Sequence, residues 1–211
     1  MRFLSLLALL TIAVVTLVML GTVFRAYYIG RRRRAAATFG AWLGSVAIYG
    51  VVLVGVSLAS SEHVLPPGIE KRFCALDCDL AYSVAEVFRA DHGVPGRDAL
   101  FVRVRVRSDA QVARMWPSDF KAWLLAAGGM RVDPVTPPRP ALLGDLGPGE
   151  SQTIELQFEI PERTEGLRLA VAEGGWPSRI MIGDENSFLH RKTVFQLQEP
   201  LQAGAHSQIG R

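Results

Sequence analysis

DALFVRVRVRS, residues 98–108, decides the fold. Val102, Val104 and Val106 recur at every second position while Arg103, Arg105 and Arg107 fill the gaps, and this strict period of two marks a β-strand with one face buried and the other wet. A helix would need apolar residues at i, i+3, i+4 and i+7, a spacing that this part of the chain meets only briefly, at 110–116. Working outward, DLAYSVAEVFRA (79–90) reads as the preceding strand, joined through His92, Gly93, Pro95 and Gly96, which suit a tight connection. Further strands are expected at 121–125 with 130–135, and at 152–160, 167–171, 178–182 and 193–197. Pro134, Pro137, Pro138 and Pro140, and the run LGPGES at 146–151, mark loops between them. Short alternating runs broken by turn residues are the rhythm of an antiparallel β-sandwich, here expected over 72–198.

The chain before it obeys a different rule. Residues 3–24 (FLSLLALLTIAVVTLVMLGTVF) and 39–59 (FGAWLGSVAIYGVVLVGVSLA) carry no charge, and 22 residues of helix rise roughly 33 Å, enough to cross a bilayer core. Between them the loop 25–37 holds Arg25, Arg31, Arg32, Arg33 and Arg34, whereas ASSEHVLPPG after the second segment holds no Lys or Arg. Positive loops stay in the cytoplasm, so both outer ends of the hairpin face the other side and the sandwich is exported. Tyr27 and Tyr28 suit the membrane interface. A cleaved signal peptide fits less well: its apolar core is shorter, and no A-x-A site appears near 21–26. The organisation expected is a transmembrane hairpin over 1–61, a linker over 62–71, an exported domain over 72–198 and a disordered tail over 199–211. That places the protein in the inner (plasma) membrane as a multi-pass protein, with its C-terminal domain periplasmic or extracellular. Gly40 and Gly44 stand in G-x-x-x-G spacing, with Gly50 and Gly55 beyond, which serves either packing within the hairpin or self-association.

Charge follows the same division. All 20 acidic residues lie at or after Glu62, while six of the 23 basic ones precede it, so the first 61 residues carry +6 and the rest, with 17 basic against 20 acidic, carry −3. The positive excess belongs to one loop and not to a folded basic surface, which argues against nucleic acid as a partner.

Several segments together resemble a known group. Phe73-Cys74, Asp77-Cys78, FVRVRV, LGPGES, Phe158-x-x-Pro161 and the closing IGDENSFLHRKTVFQL are similar to Ig-like, telokin-type extracellular domains of unknown function in bacterial envelope proteins and lipoproteins, over residues 69–198. The resemblance implies an Ig-like sandwich and an exported setting, and it supplies no catalytic residues. Members of that group often have His directly after the second cysteine, where this chain has Asp79.

Cys74 and Cys78 lie in the exported part, where a disulfide closing a small loop is the plainest expectation. The alternative is a copper-binding or redox protein of the envelope, because two thiolates with a histidine form a soft ligand set, and two N-terminal helices before an exported β-domain resemble cytochrome oxidase subunit two. Against copper, this pair precedes the first long strand and the next histidine is His92. Ser187, His190 and Asp184 offer the residue types of a triad, but without a G-x-S-x-G elbow they read as a polar connection, and GDENS lacks EF-hand spacing. Arg103, Arg105 and Arg107 form either an interaction stripe for an acidic partner or anionic headgroups, or a solvated face opposite Glu155 and Glu159. No metal, cofactor or enzyme activity is expected. The function expected is a membrane-anchored, non-enzymatic interaction or structural module of the cell envelope, with the lipid bilayer and another envelope protein, or a second copy through Gly40 and Gly44, as partners.

Overall fold

The computed structural model describes residues 2–73, 80–91, 96–117, 120–136, 144–162 and 164–198. The chain divides into two compact units, Met1–Ser61 with Gly175–Lys192, and Glu62–Gly174 with Thr193–Arg211.

In the first unit, helices α1 (Arg2–Tyr28) and α2 (Arg32–Leu58) are both 27 residues long, and both are long and apolar enough to cross a membrane. They extend into the stretch read as a loop over 25–37, because arginine and alanine are good helix formers; only residues 29–31 turn. Gly30, at φ +75°, supplies the left-handed residue that ends α1, and the Arg31 N–H reaches back to the Ala26 carbonyl at 2.9 Å. On α2 the positions Ala35, Thr38, Trp42, Ser45, Tyr49 and Leu53 recur every three or four residues and are buried or half-buried, the seam expected of one helix packed along another. The Trp42 indole donates to Thr16 Oγ1 on α1 at 3.3 Å. Elsewhere the surface is apolar and open, with Leu17 and Val51 each 72% exposed. A Cβ at Gly40 or Gly44 would meet nothing within 4 Å, so these glycines do not serve packing within the hairpin.

The second unit is a β-sandwich. One sheet has the order β2 (Lys71–Phe73), β3 (Leu80–Asp91), β4 (Arg97–Ser108), β7 (Ser151–Pro161). The other runs β1 (His63–Leu65), β9 (Thr193–Gln196), β8 (Arg168–Ala172), β5 (Lys121–Leu125), β6 (Arg131–Val132). All pairings are antiparallel except β1 with β9, where His63, Val64 and Leu65 stand opposite Thr193, Val194 and Phe195. The alternation in β4 does what its sequence requires: Leu100, Val102, Val104 and Val106 are fully buried, while the arginines point out. They meet Leu156, Phe158 and Ile160 from β7 and Leu124, Leu169, Val171 and Phe195 from the opposite sheet. Each such side chain stabilises the fold by roughly 1.5–3 kcal/mol through burial. β3 is bulged between Val84 and Glu86, which breaks its alternation.

Two expectations are corrected. The stretch 62–71, read as a linker, contributes β1 and the first residue of β2, because Val64 and Leu65 gain a ladder partner distant in sequence. No strand forms at 178–182: Pro177 instead stands in the first turn of the short helix α3 (Trp176–Arg179), where the Ser178 hydroxyl donates to the Gly175 carbonyl at 2.8 Å. Cys74, Cys78, His92 and the tail 199–211 lie outside the described residues.

Candidate functional site

Two of the three arginines of the β4 stripe, Arg103 and Arg107, are paired with acids that their own fold provides. Arg103 binds Glu155, its register partner on β7, at 2.9 Å through Nε, and Glu86 of β3 at 2.6 Å through Nη1. Arg107 binds Asp109 at 2.9 Å and Glu70 at 3.0 Å, and Arg105 donates to the Ser151 hydroxyl at 3.2 Å. The hydrogen bonds that Arg103 donates, to Glu155 first and then to Glu86, raise its pKa above the ordinary value; for Arg107 the bond donated to Asp109 leads. Arg97 reaches Glu159 at 3.0 Å. An acidic partner would have to displace these weakly held surface carboxylates from Arg103 and Arg107, while Arg105 has no such carboxylate among the described residues.

Beneath it lies a polar cluster that the sequence reading missed. Lys71 on β2 is only 4% exposed. Its ammonium donates to the carbonyls of Val171 on β8 and Thr193 on β9, both at 2.8 Å, and stands 4.6 Å from the Phe73 ring centroid. Opposite Lys71 in register, the buried Tyr82 donates its hydroxyl to Glu173 Oε2 at 2.6 Å. Burial first, then the charge and hydrogen bond of Glu173, push the Tyr82 phenol far above its ordinary pKa. The cluster thus ties the two sheets together with charge-assisted hydrogen bonds, and main-chain carbonyls hold the ammonium in place. Its sequence signal was a lysine at the centre of the period-two series Ile69, Lys71, Phe73.

In the first unit, Asp184, Ser187 and His190 are near one another in sequence and are not assembled for catalysis. The Ser187 hydroxyl shares a 3.1 Å hydrogen bond with that of Ser57, Asp184 Oδ1 accepts the Asn186 N–H at 2.7 Å, and His190 Nδ1 donates to the Arg191 carbonyl at 2.8 Å. The Lys192 ammonium donates to the Glu185 carbonyl, and desolvation lowers its pKa. Among the described residues no group of three His, Cys, Asp or Glu stands close enough to hold a metal.

Among the described residues, the sandwich leaves one long edge largely open. β7 is 11 residues long and lies at the margin of its sheet. The Val135 N–H donates to the Gln157 carbonyl on the side away from β4 at 2.8 Å. By the alternation of a strand, Glu155, Thr153 and Ser151 present their N–H and C=O groups to that same side. Among the described residues, Val135 is the one backbone partner on this edge.

Among solved structures, the chain is similar to an uncharacterised β-sandwich protein from Clostridium difficile 630, at 8% identity and a TM-score of 0.42, over 66% of this chain and 96% of that one. No protein-family model and no curated protein matches the chain.

Proposed function

We propose that this is a multi-pass inner-membrane protein whose two helices span the bilayer, and whose Ig-like sandwich works outside the cytoplasm as a non-enzymatic interaction module. The open edge of β7 carries the reading: an 11-residue strand whose outward backbone groups at Ser151, Thr153 and Glu155 have no backbone partner among the described residues is a template for strand addition by a partner protein. Strand order supports the Ig-like assignment. β4 lies between β3 and β7, and β8 lies between β5 and β9, which is the neighbour pattern of strands B and F in that fold. Arg25 and Arg31 to Arg34 hold the loop inside, and the exposed apolar surfaces of α1 and α2 face lipid. The open Gly40 and Gly44 offer a second contact, with another copy of the chain.

The test is recovery of the tagged full-length protein from membranes, beside its Thr153→Pro variant. Proline removes the outward N–H of an edge position and leaves the ladder to β4 intact, so the variant should melt near wild type and lose its companion. A wild-type protein recovered alone, or a variant that keeps the same companion, overturns the edge as the contact.

A further inference from the structure

Residues 175–192, between β8 and β9, form one compact unit with the helices. Their contacts climb α2 in order. The Tyr49 hydroxyl donates to the Ile180 carbonyl at 2.6 Å, Gly183 stands 3.9 Å from Val56 as judged by the place of its missing Cβ, Ser187 meets Ser57, and the Arg191 N–H donates to the Ser60 hydroxyl at 2.9 Å. From Tyr49 to Ser60 a helix rises roughly 16 Å.

The depth of these contacts can be read from the hairpin. Because Trp42 reaches Thr16, position n of α2 stands level with position 58 − n of α1, which puts Arg2 level with Val56 and Arg34 level with Phe24, next to Arg25. The uncharged layer between these levels is about 33 Å thick, close to the ~30 Å of a hydrocarbon core. Tyr49 lies about 10 Å inward of the Arg2 level. The apolar turn Ile180, Met181, Ile182 is therefore held within the outer part of that layer, and Ile182 borders an open apolar groove of about 420 Å³ between the helices, beside Ala8, Ile12 and Val52. Nearer the helix end, beside Ser57, Phe188 and Leu189 are 65% and 52% exposed. Leu189 has φ +65°, a left-handed conformation that leucine rarely adopts and glycine or asparagine would adopt with less strain. Arg179 and Arg191 are exposed on the same segment.

We propose that residues 176–191 form an interfacial wedge in the outer leaflet, with Ile180 and Ile182 among acyl chains, Phe188 and Leu189 at their outer margin, and Arg179 and Arg191 at the headgroup phosphates. The wedge rests on the spanning reading of α1 and α2. The depth of its Ile180–Ile182 turn matches the 5–10 Å at which amphipathic segments sit in the headgroup and acyl boundary, and long cationic side chains nearer the helix end suit the headgroup level.

The experiment places the photo-reactive p-benzoylphenylalanine at position 188, or at position 17 in the middle of α1, in the full-length chain in nanodiscs of phosphatidylethanolamine and phosphatidylglycerol. After illumination, intact mass reports the adduct. Both positions should gain the mass of one phospholipid. Adducts at 17 with none at 188 overturn the wedge and leave the spanning helices standing; absence of adducts at both overturns the spanning reading and the wedge with it.

Discussion

Tyr82→Phe removes one oxygen and leaves the rest of its surroundings in place. The ring keeps its edge contact with Phe73 (centroids 5.3 Å apart, 80° between planes) and its stack on Phe120 (5.5 Å, 10°), so the change isolates the hydroxyl and its 2.6 Å bond to Glu173. A hydrogen bond to a charged group contributes about 1.5–3 kcal/mol, so near pH 7 the variant should be about 2 kcal/mol less stable. The pH dependence is sharper. The phenol is raised in the folded state, so its contribution is complete below the unfolded value near 10 and is lost as pH rises beyond it, when the unfolded chain ionises and the folded one does not. The loss runs at about 1.4 kcal/mol per pH unit, and phenylalanine has no such slope, so the two stability curves should meet near pH 11.5, about 1.5 units above the unfolded pKa. Urea unfolding of both full-length proteins in the same detergent, from pH 7 to 11.5, reads the difference directly. Of the four tyrosines, Tyr82 alone lies in the sandwich, and tyrosinate absorbance should show one that ionises only on unfolding. A difference that stays constant across this range would refute the argument that burial and Glu173 hold the phenol neutral.

Phe158→Ala, at a fully buried position in the centre of β7, should cost about 3–5 kcal/mol by the same unfolding assay, because the cavity lies between two sheets that cannot both collapse. Neutralising Arg31 to Arg34 should weaken the orientation bias, since Arg25 then stands against Arg2 alone; periplasmic and cytoplasmic reporters fused after Leu197 should report mixed topology. Cys74 and Cys78 should resist alkylation until reduced, and Cys78→Ser should lower stability by about 1–3 kcal/mol, as for a short closed loop. Copper added to the reduced protein should fail to bind in one-to-one ratio against a chelator; tight stoichiometric binding would favour the copper reading over the disulfide.

The long elements were legible because each carries enough repeats of its own period. β4 shows three Val-Arg alternations, and α1 and α2 are uninterrupted apolar runs whose length alone decides them. β1 and β2 were not legible: three residues cannot display a period of two, and their partners in β9 and β3 are fixed only by the fold. The sequence 178–182 misled for a different reason. Its Ile180, Met181 and Ile182 resemble a buried strand, yet the Ile180 carbonyl accepts from Tyr49 of α2 and Ile182 borders the groove beside it, after a proline that starts a helical turn. The Lys71 cluster stayed hidden because the carbonyls that hold the ammonium lie 100 and 122 residues further along the chain. No local pattern can announce acceptors that distant.

The parallel pairing of β1 with β9 sets an order of events for the growing chain. His63, the first strand residue after the helices, has its partner at Thr193, 130 positions later. At about 5–20 residues per second, the interval between them is roughly 7–26 s of synthesis. Within it, the sheet that will carry both strands can gain β5 and β6 and, only near its end, β8, whose outer edge is then bare while the places of Val194 and Phe195, both fully buried in the finished fold, are empty. A bare edge beside unfilled apolar space is the condition under which nascent chains aggregate or are bound by chaperones. The emerging domain therefore depends on protection until its 195th residue has arrived, and a truncation just short of that point should be cleared by proteolysis instead of persisting as a smaller sandwich.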